Sequence, residues 1–296
     1  MLVLGLCGAA SLVGLVVAAA VRRWPARDRT SPRVADPAID ATVRRHARLR
    51  AMLRSRVDPG AATGLALTAA ILILLTASTM IGVLAAMARS NAGLARFDPR
   101  MALWAAQHAT TSSTRALGFI SQFGGALVVI PIAILVAMTE SWRLRSRAVW
   151  AFLLLVVGGQ FLLANTVKFF VDRARPTIDQ LSGFSGTSFP SGHATAAAAT
   201  YAALALVIGS RRSTNTRALS AGAAIAIAIA VGGTRVLLGV HWLTDVAAGL
   251  VLGWAWFAVC SLAFGGRGLR FGEPAKTAER AAAEPPTHVR SHPQPT

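Results

Sequence analysis

Long apolar stretches constrain this chain more than any other feature of its sequence. A helix needs roughly 20 mostly apolar residues to cross the hydrocarbon core of a bilayer, and several stretches reach that length. Only 14% of the residues are charged, against about 25% in ordinary soluble domains. The sequence therefore predicts an all-α, polytopic transmembrane helix bundle. Its seven predicted spans are Leu2–Val21, Thr63–Ala88, Leu117–Met138, Ala148–Phe170, Gly192–Gly209, Ala218–Gly233 and Leu243–Phe264.

Composition divides the chain into four predicted parts. Residues 1–21 form a transmembrane anchor, which we expect to be retained because its basic cluster follows the apolar stretch, unlike in a signal peptide. A basic loop with a candidate amphipathic helix at Ala41–Arg56 covers residues 22–62. The transmembrane core covers 63–264. The tail at 265–296 bears Pro, Ala and Glu and is predicted to be disordered.

The distribution of basic residues predicts the orientation in the membrane. The segments on one side of the predicted bundle carry 22 Lys and Arg residues, and those on the other side carry eight. The positive-inside rule places the richer side in the cytoplasm, so the N-terminus is predicted outside and the C-terminus inside. The net charge of +18 is thereby explained by topology and anionic lipid heads, and no nucleic-acid partner is predicted. The eight outer residues are Arg89, Arg96, Arg100, Arg115, Lys168, Arg173, Arg175 and Arg235.

The first of three polar segments on the outer side ends the fourth span. Lys168 and Arg175 are seven residues apart, close to two helical turns, so both side chains could face one point. Pro176 then turns the chain. An ammonium and a guanidinium fork suit a phosphate group. The alternative is a lysine that only snorkels at a span end, but 28 of the 30 basic residues are Arg, which indicates that an ammonium is required here.

The second segment, Pro190-Ser-Gly-His193, opens the fifth span. Ser191 can cap the helix, and Gly192 lets an anion approach the exposed N–H groups and the positive end of the helix dipole. His193 then projects beside that anion site at the membrane surface. The alternative is an ordinary capped helix with an interfacial histidine.

The third segment precedes and opens the seventh span. His241 and Asp245 are four residues apart and share a helix face if the helix begins there. A carboxylate on one imidazole nitrogen leaves the other free to attack, and Arg235 supplies another phosphate-binding fork. A structural His–Asp hydrogen bond or a metal-ligand pair are the alternatives. The surrounding cations would repel a metal ion, so no metal and no cofactor is predicted.

Together the three segments resemble the signature motifs of the type-2 phosphatidic acid phosphatase (PAP2) superfamily. That pattern is Lys, six residues and Arg-Pro; then Pro-Ser-Gly-His; then Ser-Arg, five residues, His, three residues and Asp. Spacing and order match throughout, with Thr234 in place of Ser as the one departure. The resemblance implies a six-helix core over roughly Thr63 to Phe264, to which the N-terminal span is an addition.

The resemblance also implies a metal-independent, two-step phosphoryl transfer. His241 would be the nucleophile that forms a phosphohistidine, Asp245 would orient it, and His193 would protonate the leaving group and later activate water. Phosphoryl transfer depends on positioning and on neutralising the equatorial oxygens, and cations can do both. The implied phosphate-binding residues are Lys168, Arg175, Ser191, Gly192 and Arg235.

Two other functions fit parts of the sequence. Vanadium haloperoxidases share the motifs, but they are soluble and larger. A non-catalytic protein that binds or transports a phospholipid would need the pocket without the full catalytic set. For the phosphatase, an interfacial site predicts a lipid phosphate or diphosphate as substrate, with polyprenyl diphosphate expected ahead of phosphatidic acid and phosphatidylglycerol phosphate. The sequence leaves the oligomeric state open.

Overall fold

The computed structural model of the chain describes residues 1–23, 59–177 and 186–264. The predicted basic loop helix at Ala41–Arg56 and the predicted disordered tail lie outside these ranges. Nine α-helices occur in the described part, together with one 3₁₀ turn at Gly93–Phe97. The helices are α1 Leu2–Arg23, α2 Pro59–Ser90, α3 Asp98–Gln107, α4 Thr111–Gln122, α5 Ala126–Leu144, α6 Ala148–Val171, α7 Gly192–Gly209, α8 Thr214–Leu237 and α9 Leu243–Ala263.

Seven of these helices are long and apolar enough to cross a membrane, as predicted. They are α1, α2 and α5 to α9; the short helices α3 and α4 lie between the second and third of them. The predicted third span, Leu117–Met138, was placed too early, because the helix is interrupted at residues 123–125 and the span is Ala126–Leu144. A Cβ at Gly124 would lie 2.7 Å from the backbone oxygen of His193. The interruption thus allows a close contact with the start of α7.

Helix α7 is the centre of the bundle. Its small residues, including Ala196, Ala197, Ala198 and Ala199, are almost completely buried. Helix α9 packs against it so closely that a Cβ at Gly253 would lie 2.5 Å from the carbonyl oxygen of Thr195. Small residues allow this approach between membrane helices, and it fixes the start of α9 beside the start of α7.

Helix α1 packs antiparallel on α8. Gly14 lies against Gly222, where an added Cβ on either residue would lie within 2.6 Å of the other's carbonyl oxygen, and Leu6 lies against Gly233. The first turns of α1 therefore lie beside the last turns of α8. That the first span is retained stays a prediction.

A buried carboxylate joins helices at the opposite end of the bundle. Glu140 of α5 is 4% exposed, pairs with Arg143, and accepts a hydrogen bond of 2.7 Å from Nη2 of Arg212. Arg143 also donates to the carbonyl oxygen of Ser210, at 2.8 Å. These contacts tie α5 to the connection between α7 and α8.

Candidate active site

The predicted site residues come together where four helix ends meet. Lys168 lies in the last turn of α6, Arg235 in the last turn of α8, and His193 in the first turn of α7. The backbone N–H of Ser191 donates to the carbonyl oxygen of Asp245 at 3.0 Å, which joins the starts of α7 and α9. Charged groups near a membrane are expensive, so their convergence here makes this a candidate functional site.

His241 lies in the short turn between α8 and α9. Gly239 adopts φ +67°, a conformation open to glycine without strain, and the N–H groups of Val240 and His241 then both donate to the carbonyl oxygen of Arg235, at 3.2 and 3.1 Å. The tight turn therefore holds the imidazole of His241 close to the end of the helix that carries Arg235.

The two nitrogens of His241 have different neighbours. Nδ1 lies 3.3 Å from Oγ of Ser188 and 3.7 Å from Oδ2 of Asp245. Nε2 lies 3.3 Å from Nη1 of Arg175. Because a guanidinium carries only donors, Nε2 must present its lone pair on that side. A nitrogen in this state can attack an electrophile held by Arg175.

Burial lowers the pKa of the His241 imidazole to about 4, and the charges of Arg175 and Arg235 act in the same direction. The negative charge of Asp245 opposes them and raises this pKa. The ring is neutral near pH 7, which is the state that a nucleophile requires.

Asp245 reaches His241 by a different geometry from the predicted one. Helix α9 begins at Leu243, so His241 lies before the helix and the two residues do not share a helix face. Asp245 instead caps the helix start by accepting from the N–H of Trp242 at 2.9 Å. The same Oδ2 accepts a hydrogen bond from the hydroxyl of Ser188, which sequence reasoning missed. Ser188 thereby connects the carboxylate to the imidazole.

Lys168 and Arg175 converge, although not along one helix as predicted. Helix α6 ends at Val171, and Arg175 follows in a segment without regular secondary structure. Nζ of Lys168 and Nη2 of Arg175 both donate to the carbonyl oxygen of Thr187, at 2.8 and 3.3 Å. The shared carbonyl oxygen thus brings two positive charges close together. Because these charges repel each other, a bound anion that accepts hydrogen bonds from both would stabilise the pair.

Ser191 does not cap α7 with its side chain as predicted. Its hydroxyl is completely buried and has no hydrogen-bond partner within the described part of the chain. A buried hydroxyl without a partner costs free energy, so this atom is suited to bind a ligand oxygen at the helix N-terminus. Beside it, His193 packs against Gly124 and Gly125, with Nε2 of its ring 3.6 Å from where a Cβ of Gly125 would lie.

Arg235 is 2% exposed, and its Nη1 donates to the hydroxyl of Ser121 at 2.7 Å. Ser121 lies at the end of α4, and sequence reasoning placed it in the third predicted span without a role in the site. The hydroxyl of Thr234, which matches the serine of the motif, bonds to the carbonyl oxygen of Val231 within its own helix at 2.6 Å. Thr234 therefore uses its hydroxyl for a hydrogen bond within α8.

Sequence reasoning also missed three residues around Asp245. Nη1 of Arg173 donates to Oδ1 of Asp245 at 2.6 Å, and its Nη2 donates to Oδ2 of Asp98 at 2.8 Å. Thr244 donates its backbone N–H and its hydroxyl to Asp98. Arg173 is the first arginine of Arg-Ala-Arg, and its position beside Arg175 was a signal for it. Nothing in the sequence connects Asp98 to residues so distant along the chain.

Comparison with known proteins gives one family. The model of the PAP2 superfamily matches residues 148–268. A lipid A 1-phosphatase of Rhizobium johnstonii is 39% identical over 146 residues, which cover 46% of this chain and 53% of the relative. A lipid A 1-phosphatase of Rhizobium etli is 32% identical over 172 residues, which cover 50% of this chain and 70% of the relative. The match thus spans about half of the length of the first relative.

A solved structure shares the fold. The crystal structure of the first transmembrane PAP2-type phosphatidylglycerolphosphate phosphatase from Bacillus subtilis aligns with a TM-score of 0.59 and 26% identity. The alignment covers 63% of this chain and 93% of that protein. The chain therefore contains nearly the whole of that protein's fold together with additional segments.

Proposed function

Because the chain belongs to the PAP2 superfamily, we propose that it is a membrane phosphatase that hydrolyses a lipid phosphate through a phosphohistidine on His241. The observation that carries the proposal is the orientation of this ring, with Nε2 toward Arg175 and Nδ1 toward Ser188 and Asp245. A nucleophile must be oriented by one partner and must face the group that binds the electrophile.

Two displacements complete the reaction. The Nε2 lone pair of His241 attacks phosphorus as the bond to the lipid oxygen breaks, and His193 gives that oxygen a proton. His193 then takes a proton from water, whose oxygen attacks the phosphohistidine and releases inorganic phosphate and His241. Lys168, Arg175, Arg235, the hydroxyl of Ser191 and the N–H groups at Gly192 bind the phosphoryl oxygens. These groups supply the charge stabilisation that Mg²⁺ gives in other phosphoryl transfers.

An apolar cavity of about 670 Å³ on the same side of the bundle supports an amphiphilic substrate. Among its walls are Val236, which follows Arg235, and Leu243, which follows His241 by two residues; Leu2 and Leu6 of α1 add to them. Its volume is within the usual range for ligand pockets. The relatives' names point to lipid A 1-phosphate and phosphatidylglycerol phosphate as the substrates to test first, ahead of the predicted polyprenyl diphosphate.

We expect the purified protein to release phosphate from lipid phosphates in EDTA at an unchanged rate, because side chains and not a metal hold the phosphoryl group. Phosphate release would be measured on lipid A 1-phosphate, phosphatidylglycerol phosphate, phosphatidic acid and polyprenyl diphosphate, each in a long-chain and a short-chain form.

Orthovanadate should inhibit phosphate release. Binding without release would favour the non-catalytic alternative, and halide oxidation with vanadate and peroxide would favour the haloperoxidase. Loss of activity in EDTA with recovery in Mg²⁺ would contradict the metal-free mechanism.

We also propose that the site faces away from the cytoplasm, on the basis of the 22-to-8 division of basic residues. In a background with Cys7 and Cys260 replaced by Ala, Ser112→Cys is on the site's side of the bundle and Asn215→Cys is on the other. An impermeant thiol reagent should label Ser112→Cys in intact cells and Asn215→Cys only after permeabilisation. The reverse pattern would show that the site faces the cytoplasm.

A further inference from the structure

A buried carboxylate outside the predicted motifs contacts the first turn of α9. Asp98 opens α3 and is 2% exposed. Its Oδ1 accepts from the backbone N–H of Thr244 at 3.1 Å, and its Oδ2 accepts from the Thr244 hydroxyl at 2.6 Å. An aspartate at the start of a short surface helix would ordinarily face water, so its burial against a different helix requires an explanation.

Arg173 joins this carboxylate to Asp245. Its Nη2 donates to Asp98 at 2.8 Å, while its Nη1 donates to Asp245 at 2.6 Å and to the hydroxyl of Thr244 at 2.7 Å. The guanidinium carbon also lies 5.3 Å from the ring centroid of Trp242, within range of a cation–π contact. A fixed fork of donors thus holds one oxygen of Asp245, and the other oxygen turns toward Ser188 and His241.

The charges alternate along this chain of contacts. Asp98 is negative, Arg173 is positive, Asp245 is negative, and His241 becomes positive when its Nε2 bonds to phosphorus. If Arg173 paired with Asp245 alone, it would cancel much of the negative charge that stabilises the cationic phosphohistidine. Asp98 offsets Arg173, so the group of three retains a net negative charge beside His241, at a depth where Coulomb interactions are stronger than in water.

We propose that Asp98 and Arg173 are positioning residues for the phosphoryl transfer, acting through Asp245 on the nucleophile His241. This inference rests on the proposed function. Arg173 orients Asp245 by holding its Oδ1, and Asp98 in turn holds Arg173. Asp98 also preserves the charge that Asp245 exerts on the imidazole.

The competing explanation is that this is a buried ion pair that only stabilises the fold. The chain offers a matched control at the opposite end of the bundle, where Glu140 is similarly buried between Arg143 and Arg212. Asp98→Asn and Glu140→Gln each neutralise one such carboxylate without changing its size. If both variants lose similar thermal stability, any difference in turnover reports on the site.

Both variants would be made in the full chain and assayed for release of phosphate from the best lipid substrate. We expect Asp98→Asn to lower kcat by about 10- to 100-fold, by analogy with the range for partners that orient metal-bound histidines, with KM changed by less than about threefold. Glu140→Gln should keep kcat within about twofold of the wild-type value. Equal losses of kcat in the two variants, or a loss expressed mainly in KM, would overturn the inference.

A double-mutant cycle tests whether Asp98 acts through Asp245. Groups that act as a unit are strongly non-additive, so Asp98→Asn should change kcat by less than about threefold when Asp245 is already Asn. Full multiplication of the two losses would show that Asp98 acts independently and would overturn the inference.

A second pair of variants covers the case in which Asp98→Asn does not fold. Thr244→Val keeps the shape of the side chain but removes the hydroxyl that contacts Asp98 and Arg173, whereas Thr244→Ser keeps the hydroxyl. The inference requires Thr244→Ser to have near wild-type kcat and Thr244→Val to be clearly slower. A wild-type protein that releases no phosphate from any lipid would overturn the proposed function and the inference together, while an active wild type with equal Thr244 variants would overturn only the inference.

Discussion

His241→Ala is expected to lower phosphate release by about 10⁴-fold or more, the scale seen when an enzyme loses its nucleophile. The variant should form no acid-labile phosphoenzyme with any substrate, because Nε2 of His241, which lies beside Arg175, is the proposed nucleophile. The measurement is trapping of labelled phosphate on the protein by rapid quench, alongside steady-state release. Glu140→Gln is the control, since this carboxylate pairs with Arg143 and Arg212 at the opposite end of the bundle. It should leave both readings unchanged.

The expected result for His193→Ala depends on the leaving group. With a lipid substrate, whose alkoxide needs a proton to leave, the variant should lose about 10²- to 10⁴-fold in kcat, the usual contribution of a general acid. An activated aryl phosphate leaves without a proton, so phosphoenzyme should still form. That phosphoenzyme should persist, because water lacks its base in the second step.

The two histidine variants together test the assignment of roles. Label trapped on His193→Ala but not on His241→Ala, with an aryl phosphate, is the predicted pattern. Label trapped on His241→Ala but not on His193→Ala would reverse the nucleophile and the acid. Equal trapping on both would contradict a histidine nucleophile at either position.

The sequence predicted which motif residues would meet because each motif lies at the same side of a helical span. Lys168, His193 and His241 are far apart along the chain, yet alternation of the spans brings them to one side of the bundle. The length of each apolar stretch, the charge of each loop and the spacing within each motif can all be read from residues that are neighbours in the sequence. The seven spans and their order could therefore be predicted without coordinates.

The contacts within the site were less predictable because several depend on loops. Lys168 and Arg175 meet at the carbonyl of Thr187, and Ser188 connects Asp245 to His241. Helical periodicity predicted that each pair would meet on one helix face, and this was wrong in both cases. Gly124 and Gly125 separate α4 from α5 and contact His193 at the start of α7. This contact depends on the folded bundle and could not be predicted from the local sequence. The position of Asp98 likewise depends on packing between segments that share no sequence pattern.

The close contact between Gly14 and Gly222 has a consequence for biosynthesis. The ribosome produces α1 before α8, so the glycine-lined partner surface on α8 emerges only after most of the bundle has been made. A single membrane helix satisfies its own backbone hydrogen bonds, so α1 can wait in the bilayer as an independent element. Helix α1 can therefore dock only after α8 has been translated. In a chain that stops before Thr214, the surface around Gly14 would stay exposed to lipid or to other helices.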